Sequence, residues 1–392
     1  NVVYFGSVRM EAIKPEHSLP GKLGVILQKA GIRDRVKGKT VAIKMHLGYR
    51  LGYSTVHPIF VREIVKAVKE GGGKPFVTDV AGGEGYAGDA VSTAFERGYT
   101  PETLGCPIYP IMGLNEKYGY PCKIDYKGIK EIRVAGMIHD ADFLISLVHV
   151  KGHNICGLGG AFKNIGIGCI DGRSRIAIHK LEQFDPYWDA EKCTMKENHV
   201  VTCPVKAISY KDNILKIRFD QCISCMNCVK EATDGCISIN HENFDSFQEA
   251  MAITTKAVLS TFTENNTFFI NVLTDIHPYC DCYGLTTPGI VPDIGIVASD
   301  NIVSVEQATL DLIGKEEIIL KNVPPTMIIT KDPNLHPFQM LFGPYKDPYV
   351  VTRFAEKIGL GTCSYTLDEI FPVTGTASFQ RPIPAPLLKR KK

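Results

Sequence analysis

Cysteine spacing carries the most chemistry in this 392-residue chain, which has thirteen cysteines. Cys222, Cys225 and Cys228 form a C-x2-C-x2-C run. In bacterial-type ferredoxin units that run continues as x3-C-P, and in two-cluster proteins the fourth cysteine of each unit ligates the other unit's cluster. Here the expected fourth position is Ala232. An upstream unit beginning at Cys193 has Lys196 and His199 at its second and third positions, and Cys203 followed by Pro204 at its fourth. One cluster would need Cys193, Lys196, His199 and Ala232, so it has lost all but one ligand. The other would need Cys203, Cys222, Cys225 and Cys228, and all are present. The losses fall on one cluster only, so we expect a single [4Fe–4S] cluster on those four thiolates. Zinc on the same cysteines is the alternative, although structural zinc prefers paired C-x2-C ligands. Cys236 competes with Cys203 as fourth ligand; otherwise Cys193 and Cys236 read as an inert remnant pair.

A second set of reactive types lies outside that run. It comprises Lys44, Asp79, the segment His149-Val-Lys151-Gly-His153, and Cys280-Asp281-Cys282 with His277 shortly before. His149, Lys151, His153, Cys280 and Cys282 are the candidate catalytic residues. Cys280 and Cys282 are one residue too close for the C-x-x-C redox turn. A second metal held with Cys169 and His179 or His277, action on a substrate, and plain buried thiols all stay open. Cys106, Cys122 and Cys363 are isolated and read as structural. The segment Gly157–Gly168 is dense in glycine, so its backbone can approach a ligand closely, and Lys163 can hold an anion. Lys44, Asp79, Gly159, Gly160 and Lys163 are the candidate cofactor-binding residues. Neither the P-loop nor the dinucleotide spacing is present, and a tight turn is an equal reading of the glycines.

These residues need elements to position them. Val41–Met45, Pro75–Asp79, Asp142–Val148, Phe268–Leu273 and Asp293–Ala298 read as strands. Pro58–Glu70, Asp89–Arg97, Phe247–Phe262 and Val303–Ile313 read as helices. Strands alternating with helices argue for an α/β fold, a largely parallel sheet covered by helices. Residues 185–245 break the rhythm and read as a small inserted α+β ferredoxin-like domain between body halves 1–184 and 246–392. Ligands of open parallel sheets bind outside the carboxyl ends of the strands. Those ends carry Lys44 and His46, Asp79 with Gly82-Gly83, His149 to His153, Asp275 to Cys282, and Ser299-Asp300. Singly each has a bland reading, as a snorkelling lysine, a helix cap or a satisfied core histidine; together they predict a site at one rim.

Composition excludes little else. Lys plus Arg is 44 and Asp plus Glu 42, a net +2 that demands neither nucleic acid nor an anionic membrane. No apolar run is long enough to span a bilayer, and the first residues lack a signal-peptide pattern, so a cytoplasmic location is expected. Lys389–Lys392 reads as a solvated basic tail.

The chain resembles the DUF362 family of uncharacterised iron–sulfur proteins over nearly its whole length. The resemblance rests on VAIKMHLG at Val41–Gly48, the Phe60–Asp79 stretch, HVKGHNICGLGGAFKNIGIG at His149–Gly168, the insert, Thr274–Cys282, and VPDIGIVA at Val291–Ala298. Family members often carry two clusters, and this sequence departs there. The resemblance implies a redox role without naming a substrate. The expectation is an oxidoreductase that takes electrons from ferredoxin or another low-potential carrier. They would pass through one cluster to a small anionic substrate or second metal at the rim. An electron-carrier or docking subunit, and a structural or sensing cluster, are the alternatives. The oligomeric state is not legible.

Overall fold

The computed structural model describes residues 1–80, 87–182, 187–194, 198–212, 214–218 and 221–371. Gly82-Gly83, Lys196, the 184/185 boundary and the tail at Lys389–Lys392 lie outside the described residues.

Apolar residues on alternating faces build eight strands into one sheet. In chain order they are β1 (Val2–Ser7), β2 (Thr40–Lys44), β3 (Lys74–Asp79), β4 (Ile108–Pro110), β5 (Phe143–His149), β6 (Thr267–Leu273), β7 (Gly295–Ser299) and β8 (Thr366–Glu369). Their order in space is β8-β1-β7-β6-β5-β2-β3-β4. β7 runs antiparallel to both neighbours, β1 and β6, and every other pairing is parallel. The α/β architecture with a mostly parallel sheet is therefore as expected. The carboxyl ends of β2, β3, β5 and β6 share one edge.

Helices cover both faces. One face takes α1 (Leu19–Lys29) and α2 (Pro58–Glu70). Leu23, Ile26, Val61, Ile64 and Val68 there meet Val41, Ile43, Ile145 and Ile270. Each such buried aliphatic side chain contributes about 1.5–3 kcal/mol. The helix α2 starts on a proline, with His57 Nδ1 accepting the Ile59 amide at 3.2 Å, and stops at the glycine run. The other face takes α3 (Ala161–Gly166), α4 (Gly172–His179), α5 (Glu242–Leu259), α6 (Ile302–Ile313) and α7 (Val350–Lys357). Phe162, Phe247, Val305 and Val351 pack there against Leu144, Val148 and Phe269.

Three sequence expectations change. Because β7 is reversed, Ser299-Asp300 leaves the sheet at the edge opposite the site. Arg35 holds Asp300 there at 2.6 Å and also grips the carbonyls of Asn265 and Thr267. The helix α5 spans Glu242–Leu259, starting one turn before the expected Phe247 and stopping short of Phe262. The outer strands β1 and β8, and the hairpin Gly119–Tyr126/Ile129–Ala135, were not foreseen.

Between 187 and 238 the described residues add no strand to the main sheet. They form two small pairs, Tyr187–Trp188 with Ile237–Ser238 and Ile208–Lys211 with Ile214–Ile217. These close over their own apolar cluster of Ile208, Leu215, Ala232 and Ile237 with the buried thiols of Cys193 and Cys236.

Candidate functional site

The strand order switches direction between β2 and β5, which is where open α/β sheets leave a crevice. Asn164 of α3 spans it, donating to the Lys44 carbonyl at 3.1 Å and to Ser146 Oγ at 2.9 Å. Lys44 is buried. Its ammonium donates to Asp79 Oδ1 (2.8 Å), Asn164 Oδ1 (3.0 Å) and the Met45 carbonyl (3.4 Å). Those partners use all three donors of a lysine, so Lys44 braces the floor and has no hydrogen left for an anion. Asp79 also accepts the Leu47 amide at 2.9 Å. Burial opposes its ionisation, yet Lys44 and His46 hold its carboxyl far below the usual range.

The loop after β6 carries Cys280-Asp281-Cys282, and its middle residue faces away from the outer two. Asp281 Oδ2 lies 3.0 Å from both Lys151 Nζ and His149 Nδ1, while Ser54 Oγ approaches Oδ1 at 3.3 Å. Burial works against this carboxylate, but Lys151 and His149 keep it well below its normal range. Asp281 thus anchors the loop to the His149–Lys151 segment. Ser54, His277 and Asp281 have the composition of a hydrolytic triad. Both Ser54 and Asp281 face the same nitrogen, His277 Nε2, at 2.8 and 3.3 Å, so no proton relay through the ring is available. The ligand atoms of His149, His277 and Asp281 lie within 4.8 Å of one another, close enough for one metal ion. Lys151 already supplies a positive charge at that carboxylate.

Cys280 and Cys282 face the opposite way. The Cys282 thiol donates to Cys280 Sγ at 2.7 Å, and Lys163 Nζ stands 3.4 Å from the same sulfur. His153 and His46 also hydrogen-bond Cys280. His153 Nδ1 accepts the amides of Ile155 (3.3 Å) and Cys156 (3.4 Å), which leaves the ring proton on Nε2. Burial, then Lys163, pulls His153 down to about 4, so it is a neutral donor. The Cys282 hydrogen bond, Lys163 and the two histidines outweigh burial and hold Cys280 well below the usual thiol range; Cys282 is raised correspondingly. The Cys282 S–H directed at Cys280 and the Lys163 ammonium beside it favour the negative charge of a singly ionised pair on Cys280.

The glycines do not cradle an anion at the start of α3. Glu306 fills that position, accepting the Ala161 amide at 2.8 Å and the Phe162 amide at 3.3 Å. A Cβ on Gly160 would come within 2.3 Å of both Glu306 oxygens, and one on Gly159 within 3.1 Å of Lys151 Cε. Close packing is what requires glycine at both positions. Nor do Cys169 and His179 join Cys280 and Cys282 in a metal site. The Cys169 thiol points to the Asn164 carbonyl at 3.8 Å, and burial pushes it up to about 12. His179 sits 3.6 Å from Glu182 and against Phe247.

In the small unit, Cys203, Cys222, Cys225 and Cys228 all line one cavity, whose remaining walls include Val205, Ile208, Ile217 and Ile223. Cys236 lies apart, hydrogen-bonded to Cys193. Two of the four lining sulfurs accept a backbone amide, Cys203 from Ala207 at 3.1 Å and Cys222 from Ser224 at 3.4 Å, and the amides of Asn227 and Val229 lower Cys225 and Cys228 against their burial. Lys206, Ser224 and Met226 take positive φ values of 53°, 51° and 61° to aim those amides inward. Such non-glycine conformations cost on the order of 1 kcal/mol each and concentrate at functional loops. Burial pushes Cys222, Cys225 and Cys228 above the usual thiol range.

Two buried side chains tie this loop to the rim. Asn154 donates to the Ile223 carbonyl and to Tyr283 Oη at 2.9 Å, so it bridges the neighbours of Cys222 and Cys282. Lys346 donates to the Ser224 carbonyl at 2.6 Å and to the Asn154 carbonyl. A cavity of about 1140 Å³ runs along this seam, lined by His46, His153, Lys163, Cys282 and, at the insert, Cys222. It exceeds the usual 300–1,000 Å³ range of small-ligand pockets. Asn154, Asn164, Glu306 and Lys346 were not singled out from sequence as site residues, and His46 only as one of the ionisable groups at the rim. His46 and Asn154 adjoin chosen motifs, whereas nothing near Lys346 in the sequence signals its position.

Among described residues no helix is long and apolar enough to cross a membrane. No curated protein matches the chain. Among solved structures, the lactate racemase apoprotein from Thermoanaerobacterium thermosaccharolyticum is similar at 12% identity and a TM-score of 0.34, over 70% of this chain. The match spans about half of that structure's own length, 51%. Residues 41–311 match the family model described as a domain of unknown function, DUF362, and the chain belongs to that family.

Proposed function

We propose that this chain is an iron–sulfur oxidoreductase with one [4Fe–4S] cluster on Cys203, Cys222, Cys225 and Cys228. The observation that carries the reading is four cysteines around one apolar cavity, with backbone N–H groups donated to Cys203 and Cys222. Such amides stabilise thiolates and tune a cluster's potential. Burial keeps the Cys222, Cys225 and Cys228 thiols neutral, and metal ligation would deprotonate them and supply the compensating charge. A bound cluster would supply one-electron transfer. Asn154 and Lys346 keep the Cys222 loop fixed against the large cavity, so Cys222 and Cys282 open onto the same space. In that space Lys163 and the neutral His153 position and hydrogen-bond a small anionic substrate beside Cys282. A low-potential one-electron carrier such as ferredoxin is the proposed donor. The His149, His277 and Asp281 group is the alternative position for a second metal.

The test is anaerobic purification with iron and acid-labile sulfide assays, followed by electron paramagnetic resonance after dithionite. About four irons and four sulfides per chain are expected. Zinc without labile sulfide would sink the proposal. A purely structural cluster is the second reading, favoured by the anchoring of the small unit through Lys230 to Ile328 (2.6 Å) and through Asn227 to Thr326 (2.5 Å). Substituting Cys280 and Cys282 together separates the two: an enzyme loses turnover and keeps its cluster spectrum.

A further inference from the structure

The spacing of Cys280 and Cys282 is shorter than that of the usual redox turn, but the fold overrides it. Cys280 caps a single 3-10 turn at Asp281–Tyr283, and its sulfur accepts the Cys282 amide at 3.4 Å. That turn sets the two sulfurs 2.7 Å apart while Asp281, between them, is pinned on the far side by Lys151 and His149. Cys280 is wholly buried and Cys282 is exposed into the large cavity. One sulfur therefore meets a ligand and the other waits behind it. A metal ion at Cys280 would compete with the Lys163 ammonium, itself 3.4 Å away. The ring nitrogens of His46 and His153 also fail to close with both sulfurs into an ion-sized group; among the described residues His149, His277 and Asp281 form the group of that kind.

We propose that Cys280 and Cys282 form a two-electron dithiol–disulfide couple that reduces a small-molecule disulfide in the cavity. The proposal rests on the iron–sulfur reading only for its supply of electrons. In the first step the shared proton moves to Cys280 and the Cys282 thiolate attacks one sulfur of the substrate. The substrate S–S bond breaks, a mixed disulfide forms on Cys282, and the first half leaves as a thiolate. That thiolate takes the proton from Cys280. The Cys280 thiolate then attacks the Cys282 sulfur, closes the protein disulfide and expels the second half as a thiolate. The pair has lost two electrons and one proton; the substrate has become one thiol and one thiolate. Two successive electrons from the one-electron carrier, and one proton, restore the starting pair. Because Cys280 is buried, exchange begins at Cys282 within the cavity, which favours a metabolite over a folded protein. Lys163 keeps its charge beside Cys280 as the positioning residue.

The test uses the full chain, purified anaerobically, with oxidised glutathione as probe. After acid quench and iodoacetamide treatment, the peptide spanning 280–282 is weighed. It should be two hydrogens lighter and unalkylated after the probe, and doubly alkylated after dithiothreitol, reversibly. C280S should retain glutathione on Cys282. K163M removes the charge that favours the reduced pair, so its equilibrium ratio against dithiothreitol should move about tenfold toward the disulfide, about 30 mV for two electrons. A wild-type peptide that alkylates fully before and after the probe, or that keeps a mixed disulfide unresolved, overturns the couple. An unchanged ratio in K163M overturns the role of Lys163. Iron and sulfide measured on the same preparation keep the two readings apart. A cycling pair without them leaves the couple standing and removes its electron supply; a loaded cluster beside an inert pair removes the couple alone.

Discussion

Asp281→Asn tests the anchor of the CDC loop most directly. The carboxylate is 2% exposed and sits 3.0 Å from Lys151 Nζ, itself a residue only 4% exposed, and 3.0 Å from His149 Nδ1. An amide keeps the size and loses the charge, so a buried ammonium is left without its counter-charge. Breaking one side of such a pair costs about 3–5 kcal/mol, mostly because the remaining charge stays desolvated. The mutation should therefore lower the unfolding free energy in water by that amount at neutral pH, read as a lower urea midpoint with the slope unchanged. Adding Lys151→Met removes the stranded charge, and the double variant should recover about 2 kcal/mol of the loss.

The pH dependence gives a second readout. The carboxyl of Asp281 is depressed in the folded state, because Lys151 and His149 outweigh the opposing burial. Its contribution is present above the unfolded value, about 3.9, and is lost as pH falls through the lower folded value. The D281N variant lacks that acid-limb loss, so its difference from the parent should shrink toward low pH. A cost below about 1 kcal/mol at neutral pH, or no recovery in the double variant, would refute the anchor.

The remaining expectations are shorter. Cys203→Ser should abolish the four-iron spectrum, whereas Cys236→Ser should preserve iron and sulfide content, since Cys236 lies beside Cys193 and outside the four-cysteine cavity. Gly160→Ala places a Cβ within 2.3 Å of the Glu306 carboxylate that caps α3, and should destabilise by about 1–3 kcal/mol in chemical denaturation. Burial raises Glu306 to about 7. An acid raised in the folded state loses stability as pH rises from its unfolded value near 4.3 to its folded value. Glu306→Gln should therefore flatten the stability profile between about pH 4 and 7, a change on the order of 3 kcal/mol.

Much of the sheet was legible because β2, β3, β5 and β6 are short apolar runs followed by turn or helix signals. The direction of β7 was not, because an apolar run looks the same whichever way it enters the sheet. Asp300 was misplaced for that reason alone. At the rim, the ionisable residues were legible as types but their pairing was not. Sequence cannot say that Lys44 spends its hydrogens on Asp79 and Asn164, or that Glu306, far along the chain, closes the helix start behind Gly160. Once paired, the three rim lysines divide sharply. Lys44 and Lys151 each face a carboxylate that can do little beyond hold them, and Lys163 faces the sulfur of Cys280. A carboxylate would neutralise Lys163 equally well, and the proposed dithiol couple is the chemistry that would require sulfur in its place.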